Sequence, residues 1–388
     1  MQADGHRVSL LDCNAGATVS MADTRIERAD WVGFTATSLT YADARRLRML
    51  ITHKPAVIGG VHATLFPGQV LSDGFQLVVV GEGELLMRRV HPDCRGILRT
   101  VELVDMDAIP HLPYELLTGY HYRATPLHGR NGTTMPFMSS RGCPWTCSFC
   151  SKAVFGSKFR FMAPERVVEE LRWLKRLGYR EIAFYDDTFT INHQRVARLC
   201  DLMTPLGLHW TCQARVNTVD IELLRQMKAA GCHMIAYGIE SGVPELLAAI
   251  SKNITHEQVE RAIRLTRQVG IKSLGYFMFG VPGETRDTVE QTIRYALRLD
   301  SDYAQFSMCT PLPGSELWEK REFANYTGPQ TNGLCSLSLP YLAKSCAQAY
   351  MRFYGRPGHI FRELRSWRDA QIVASWMNVI RSARKAAQ

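Results

Sequence analysis

The sequence predicts an α/β protein in which a Rossmann-like parallel sheet precedes a partial (β/α)6 barrel. Three observations carry that prediction. Short apolar runs of strand length alternate with helical patterns, the arrangement of parallel sheets covered by helices. From Met135 onward the alternation becomes more regular, with six strand-length runs separated by five amphipathic helices. Glycines then follow the helices, at Gly178, Gly207, Gly231 and Gly270, where C-terminal caps belong.

The elements follow in order. Arg7 to Asp12 reads as a short strand, Asp30 to Thr35 as a second, Tyr41 to Thr52 as a helix, and Ala56 to Gly59 and Phe75 to Val80 as two more strands. Two glycine-bearing turns follow strands, Gly59-Gly60-Val61-His62-Ala63-Thr64 and Gly81-Glu82-Gly83-Glu84. Open parallel sheets bind ligands at such strand ends, although tight turns alone account for the spacing. Residues 1–105 form this first domain. Residues 106–134, with Pro110, Pro113 and Pro126, read as a linker.

The barrel is expected over 135–323. Its strands are Met135 to Ser140, Glu181 to Asp186, His209 to Ala214, Met234 to Ile239, Lys272 to Phe279 and Tyr303 to Met308. Between them lie helices Pro164 to Leu177, Gln194 to Leu206, Asp220 to Ala230, Glu257 to Val269 and Arg286 to Leu299. Residues 324–388 are expected to be a short helical segment, in which Trp367, Trp376, Val379 and Ile380 line an apolar face.

Composition limits the function classes. A chain of 388 residues with 46% hydrophobic content is an ordinary globular protein, and no apolar stretch approaches the roughly 20 residues needed to span a bilayer. Eleven cysteines without a secretory signal point to a reducing cytoplasm rather than to disulfides. The net charge is +9, and from residue 352 onward eight Lys or Arg residues face only Glu363 and Asp369. A solvated helix face is the plain reading of that tail, and contact with an anionic membrane surface the sharper one. No nucleic-acid motif accompanies the charge.

The chemistry concentrates at 139–150, Ser-Ser-Arg-Gly-Cys-Pro-Trp-Thr-Cys-Ser-Phe-Cys. Cys143, Cys147 and Cys150 stand at C-x-x-x-C-x-x-C spacing directly after a strand. Three close thiolates without a fourth suit a 4Fe–4S cubane with one open iron, whereas a zinc knuckle or a redox pair is the plainer alternative. Working residues of parallel barrels come from the carboxyl ends of strands. Those ends read Asp186-Asp187, Gln213-Ala214-Arg215, Gly238-Ile239-Glu240-Ser241-Gly242, Gly280-Val281-Pro282-Gly283-Glu284 and Thr310-Pro311-Leu312-Pro313-Gly314. Acids, one arginine and glycine turns around a cluster suit a zwitterionic ligand bearing a nucleoside. Any single acid among them is as readily a helix cap, as Asp187 is before Thr188. Cys309 reads as a small buried hydrophobe rather than as an extra catalytic thiol.

These stretches, with Phe-Tyr-Asp-Asp-Thr-Phe, Gln-Ala-Arg-Val-Asn and Phe-Gly-Val-Pro-Gly-Glu-Thr, closely resemble the radical SAM superfamily over about residues 135–320. The resemblance implies that Cys143, Cys147 and Cys150 ligate a 4Fe–4S cluster whose open iron chelates S-adenosylmethionine (SAM). It places Phe149 near the adenine and Asp186 and Asp187 near the methionine amino group. Glu240 and Ser241 fall near the ribose and methionyl part, Arg215 near the carboxylate, and Gly280 and Pro282 at a further SAM-contacting strand end. No catalytic residue beyond the cluster is implied. Gly-Gly-Val-His-Ala-Thr followed by Val-Gly-Glu-Gly-Glu resembles the cobalamin-binding domain that precedes the barrel in one subfamily. Gly59, Gly60, His62, Gly81 and Gly83 would then lie near cobalamin. The family domain opens with a strand and helix not seen before Arg7, so a truncated domain is expected, with cobalamin weakly held or lost or the start placed too late. The Asp-x-His-x-x-Gly cobalt-ligand motif is also missing. Tyr350 to Tyr354 and Arg356-Pro357-Gly358-His359-Ile360 resemble the same subfamily's C-terminal segment.

The expected function is reductive cleavage of SAM to a 5′-deoxyadenosyl radical, serving cobalamin-assisted methylation or rearrangement of an unactivated carbon in a small-molecule substrate. An external flavodoxin- or ferredoxin-like protein would supply the electron. One alternative is a cobalamin-independent radical SAM oxidoreductase, cyclase or methylthiotransferase. The other is a cluster- or corrinoid-binding sensor or accessory protein without turnover.

Overall fold

A computed structural model describes residues 5–17, 19–20, 23–100, 102–117, 119–120, 134–320 and 333–359. The chain divides into two units: Met1–His121 with Arg141–Pro144 and Ser151–Phe161, and Tyr122–Ser140 with Trp145–Cys150 and Met162–Gln388.

The first unit opens with helix α1 (Thr24–Glu27), capped by the Asp23 carboxylate on the Arg25 amide. There follow β1 (Val32–Thr35), α2 (Tyr41–Leu50), β2 (Ala56–Gly59), α3 (Val61–Leu65), α4 (Pro67–Ser72), β3 (Leu77–Val80), α5 (Glu84–Met87) and β4 (Gly96–Arg99). The strands pair in the order β1-β2-β3-β4, all parallel. The central strands Ala-Val-Ile and Leu-Val-Val-Val are apolar throughout because helices cover both faces. Ile58, Val70, Phe75 and Val78 are buried in the core of one face.

Two details depart from the sequence expectation. Residues 7–12 form no strand. Asp12 instead closes a turn, its Oδ1 accepting the amides of Asn14 (3.0 Å) and Ala15 (3.1 Å), and the run is too short to bury Leu10. In the other direction, β4 was not anticipated. It is an edge strand whose residues alternate between half-buried and exposed, so it lacks the apolar run that marked its neighbours.

The second unit begins with β5 (Met135–Phe137). The expected first strand breaks after it: β6 (Ser140–Arg141) pairs instead with β7 (Arg160–Phe161) as a short ribbon, of which Arg141, Arg160 and Phe161 belong to the first unit. Then come α6 (Pro164–Arg176), β8 (Glu181–Phe184), α7 (His193–Met203), β9 (His209–Ala214), α8 (Ile221–Ala229), β10 (Cys232–Glu240), α9 (Pro244–Ala249), α10 (His256–Gln268), β11 (Lys272–Phe279), α11 (Arg286–Leu299), β12 (Tyr303–Met308), α12 (Glu316–Lys320) and α13 (Leu339–Tyr354). The sheet runs β5-β8-β9-β10-β11-β12, parallel throughout, with the strands in chain order. This is the α/β succession the alternation predicts, with β5 and β12 at the edges.

The helices stop and start where local chemistry directs. Pro164 enters α6 at its first turn, where a missing N–H costs nothing. Reciprocal capping boxes open α10 (Thr255 with Gln258) and α11 (Thr285 with Thr288). Val167, Val168, Leu171 and Leu174 give α6 one apolar stripe, fully buried. Under the helices an aromatic layer forms, with Phe184 4.7 Å from Phe189 and 5.5 Å from Trp210. The Trp210 indole N–H, fully buried, donates to the Ala230 carbonyl at 2.8 Å.

Helix α13 covers the open edge at β12. The Tyr354 hydroxyl accepts the Ala304 amide (3.0 Å) and donates to the Ala304 carbonyl (2.7 Å), and the Tyr350 hydroxyl accepts the Phe306 amide (3.1 Å). Edge backbone that would otherwise lack partners is thereby satisfied. No helix among the described residues is long and apolar enough to cross a membrane. Residues 121–133 of the expected linker lie outside the described residues, as do 360–388, with Trp367, Trp376, Val379, Ile380 and most of the basic tail.

Candidate active site at the strand ends

The cysteine loop leaves β6 and is held at several points. Ser148 donates its amide to the Ile250 carbonyl (3.0 Å) and accepts the Leu317 amide (2.9 Å), while the Cys150 amide closes a turn onto the Cys147 carbonyl (3.1 Å). The Phe149 ring packs against the apolar cluster of Val243, Leu246, Ile250, Met278, Val281, Cys309 and Leu317. None of the eleven cysteines forms a disulfide. Among the described residues no group of three His, Cys, Asp or Glu side chains is gathered to hold one metal ion. A cubane makes a different demand, because each thiolate ligates its own iron corner and the sulfurs need not converge. Three thiols on one anchored loop, with the Arg215 Nη1 3.5 Å from the Cys147 Sγ, have the donor chemistry a cluster requires.

Asp186 lies just beyond β8 and is fully buried. Its Oδ1 accepts the Ser139 amide (2.7 Å) and its Oδ2 the hydroxyls of Ser139 and Ser140 (both 2.6 Å). The Arg195 Nη2 donates to the Ser139 hydroxyl (2.7 Å) and carbonyl (3.0 Å). Burial raises the Asp186 carboxyl above the usual range, while Arg195 and the two serines pull it back. The side chain thus holds together the break between β5 and β6 from which the cysteine loop departs. Asp187 beside it is exposed, and Asn192 rather than Asp187 caps α7.

At the end of β10 the backbone folds sharply. Glu240 has φ +70°, uncommon for a residue with a side chain, and the Ser241 amide bonds the Ile239 carbonyl at 2.9 Å. The Glu240 Oε1 accepts the Lys252 Nζ at 2.7 Å in a nearly buried ion pair. Gly238 makes room for it, since a Cβ there would stand 2.5 Å from the Glu240 Oε1 and 2.6 Å from the Lys252 Nζ. Lys252 also lies 5.6 Å over the Phe149 ring, and Arg215 5.0 Å over the Trp145 ring. Arg215 is itself buried and donates through Nη2 to the carbonyls of Lys252 and Asn253. The structure therefore brings Phe149, Arg215, Glu240 and Cys147 together through Lys252, which the sequence reading did not single out. Ser241 is fully buried and engaged with the Thr292 Oγ1 (3.1 Å) and the Val243 amide (3.2 Å).

After β11, Gly280 and Val281 donate their amides to the Glu284 Oε2, and Pro282 is half-buried in that turn. Glu284 is 2% exposed, and burial pushes its carboxyl up to about 7. Its Oε1 has no hydrogen-bond partner among the described residues. Cys309 packs in the apolar cluster, its thiol pushed up to about 12 by burial.

In the first unit, the turns after β2 and β3 carry the residues expected near cobalamin. Gly59 ends β2 and Gly60 opens α3. His62 is buried, stacked on Tyr41 at 3.8 Å, with Nδ1 3.1 Å from the Ser38 Oγ and Nε2 without a partner among the described residues. Burial lowers its basicity. The Gly81 amide donates to the Thr64 Oγ1 (3.0 Å), and Gly83 opens α5. The side chains between these glycines were missed: Glu82 pairs with Arg160 and Arg141, and Glu84 with Arg141 at 2.6 Å.

Comparison with known proteins agrees with this geometry. The model of the Radical SAM superfamily matches residues 137–296, and that of the B12 binding domain residues 1–91. An uncharacterized methyltransferase of Pyrococcus horikoshii is 34% identical over 378 residues, covering 86% of this chain and 81% of the relative. The anaerobic magnesium-protoporphyrin IX monomethyl ester cyclase of Rubrivivax gelatinosus is 29% identical over 330 residues. That match covers 76% of this chain but only 58% of the cyclase. The fold is that of the radical S-adenosylmethionine methyltransferase TsrM from Kitasatospora setae, solved with tryptophan substrate and a SAM analog. Its TM-score is 0.65 at 20% identity, over 83% of this chain and 73% of that one. The chain belongs to the radical SAM superfamily, among the enzymes that join a B12-binding domain to the radical SAM domain.

Proposed function

We propose that this enzyme transfers a methyl group to an unactivated carbon of a small molecule, using a 4Fe–4S cluster, SAM and cobalamin. The observation that supports it is the anchored loop of Cys143, Cys147 and Cys150, following a B12-binding domain in a chain 34% identical to a methyltransferase over most of both lengths. A cluster held at these thiolates would pass an electron from an external reductant to SAM, and cobalamin would supply a carrier for the methyl group.

This chain's own residues bind and orient. Arg215 sets a guanidinium beside the Cys147 Sγ and is held there by two carbonyls. Glu240 and Lys252 offer an acid and an ammonium, the pair of charges that matches the amino and carboxylate ends of SAM. Phe149 offers a ring face to the adenine. Asp186 holds the strand break under the loop, and Asp187 is the more accessible acid for the methionine amino group. Gly280 and Pro282 shape the turn opposite. Gly59, Gly60, His62, Gly81 and Gly83 line the strand-end turns assigned to cobalamin. The domain limits are taken as 1–105, 106–134, 135–323 and 324–388, the enzyme as cytoplasmic, and a flavodoxin- or ferredoxin-like protein as its reductant.

The test is anaerobic reconstitution with iron, sulfide and hydroxocobalamin, followed by SAM and a strong reductant. Corrinoid absorbance that stays with the protein and formation of 5′-deoxyadenosine are expected. Protein without corrinoid absorbance overturns the cobalamin assignment, and the 29% identity to a cyclase then favours an oxidative cyclisation that adds no methyl group. Cys147→Ala abolishes both cluster and cleavage. Persistent cleavage in that variant overturns the cluster site.

A further inference from the structure

We propose that Glu82 and Glu84 are positioning residues for the iron–sulfur cluster. They clamp the two ends of the cysteine loop and so fix where Cys143 presents its thiolate. The inference rests on the assignment of Cys143 as a cluster ligand.

The clamp is built from four charges in the first unit. The Glu82 side chain is 2% exposed, Arg160 11%, Arg141 14% and Glu84 30%. Arg160 grips Glu82 with both ends of its fork, Nη2 on Oε1 and Nη1 on Oε2, the latter at 3.0 Å. The Glu82 Oε2 also accepts the Val104 amide at 3.1 Å, and Val104 returns its carbonyl to the Arg160 Nη1 at 2.8 Å. Arg141 completes the set, with Nη2 2.6 Å from the Glu84 Oε1 and Nη1 3.5 Å from the Glu82 Oε2. A bidentate guanidinium–carboxylate pair fixes orientation as well as distance.

The two arginines stand at the loop's ends. Arg141 closes β6, two residues before Cys143, and Arg160 opens β7, on the strand that receives the chain after the loop. The peptide between Arg141 and Cys143 has no slack. Gly142 has φ +84°, and a Cβ there would meet the Lys158 carbonyl oxygen at 2.3 Å. The Arg141 guanidinium also lies 4.9 Å over the Phe155 ring. Movement of the Gly81–Glu84 turn therefore carries Cys143 with it. A turn that needed stability alone would be served as well by apolar residues, which avoid the desolvation of four charges. What the charges add is a fixed place for the strand that leads to Cys143.

Partners that orient a metal's ligands from outside its coordination sphere change metal retention by about 10–100-fold when removed. The experiment compares anaerobically reconstituted wild type, Glu82→Gln, Glu84→Gln and a control, Glu181→Gln. The control removes the carboxylate charge from a buried pair between β8 and β10 that touches none of the four clamp residues, Glu181 with His233 at 2.7 Å. The readouts are iron release to bathophenanthroline disulfonate, the electron paramagnetic resonance spectrum of the reduced cluster, and the melting temperature. Glu82→Gln and Glu84→Gln are expected to release iron about 10–100-fold faster with an altered spectrum. Glu181→Gln is expected to keep the wild-type rate and spectrum even where its melting temperature falls. If Glu82→Gln does not fold, Glu84→Gln, whose side chain is partly in water, decides the matter. Wild-type rates and spectra in the folded Glu82 and Glu84 variants overturn the proposal, as does equal acceleration in Glu181→Gln. A wild-type protein that takes up no cluster, or a Cys147→Ala variant that keeps one, refutes the cluster assignment itself and the proposal with it.

Discussion

Glu284 makes the stability of the second unit depend on pH in a direction opposite to most carboxylates. Its side chain is almost fully buried, one oxygen accepts two backbone amides, and the other has no partner among the described residues. Burial raises the carboxyl from 4.5 to about 7, against the pull of the two amides. A rise of that size corresponds to roughly 3 kcal/mol between its protonated and ionised forms. The folded-state value lies above the unfolded one. Its stabilising contribution is therefore full below about pH 4.5 and is lost as pH rises through about 7. Glu284→Gln keeps an acceptor for the amides of Gly280 and Val281 but carries no titrating proton. Urea unfolding of the cluster-free chain, followed by tryptophan fluorescence between about pH 5 and about pH 8.5, measures the difference. The wild type is expected to lose about 2.5 kcal/mol relative to Glu284→Gln across that range. Two curves that stay parallel would refute the reasoning.

Other outcomes follow from the same geometry. Asp186→Asn replaces one of the two accepting oxygens by an NH2 that must face either the Ser139 amide or the two serine hydroxyls, so it should destabilise the chain by about 2–4 kcal/mol, read as a lower urea midpoint with unchanged slope. Gly238→Ala drives its Cβ into the Glu240–Lys252 pair. Because only side-chain tips must move, it should weaken SAM binding in calorimetry by about tenfold or more while costing less than about 1 kcal/mol in stability. An unchanged dissociation constant would remove Glu240 and Lys252 from the SAM site.

The alternation of strands and helices in the barrel was legible because most strands are largely apolar runs followed by an amphipathic helix, although the expected first strand stops at Phe137 and α9 was not expected. The strands His209–Ala214, Lys272–Phe279 and Tyr303–Met308 have the bounds the apolar runs predict. Where periodicity weakens, the reading weakens too. Arg7–Asp12 lacked the length to pack, and β4 lacked a continuous apolar run. At the candidate site, strand ends drew notice to individual positions but not to the partners that hold them. Asp186 looks like a ligand from its position, yet its oxygens face three hydroxyl and amide donors supplied by Ser139 and Ser140. Lys252 sits in a loop with no motif around it, and only folding brings it to Glu240. In Gly81-Glu82-Gly83-Glu84 the glycines are the locally informative residues, because they mark a turn. The acids pair with residues 57 and 78 positions away, a relation no local pattern encodes.

The tyrosine pair that seals β12 also bears on how this protein can be handled. Ala304 has both its amide and its carbonyl satisfied by one phenol, and Phe306 has its amide satisfied by another, so the sheet ends in side chains rather than in a bare ladder. A shortened chain lacking Leu339–Tyr354 would present that ladder to its neighbours, and edge strands of this kind recruit one another. A fragment ending before Tyr354 should therefore be recovered as strand-paired aggregate, whatever the integrity of its cluster loop.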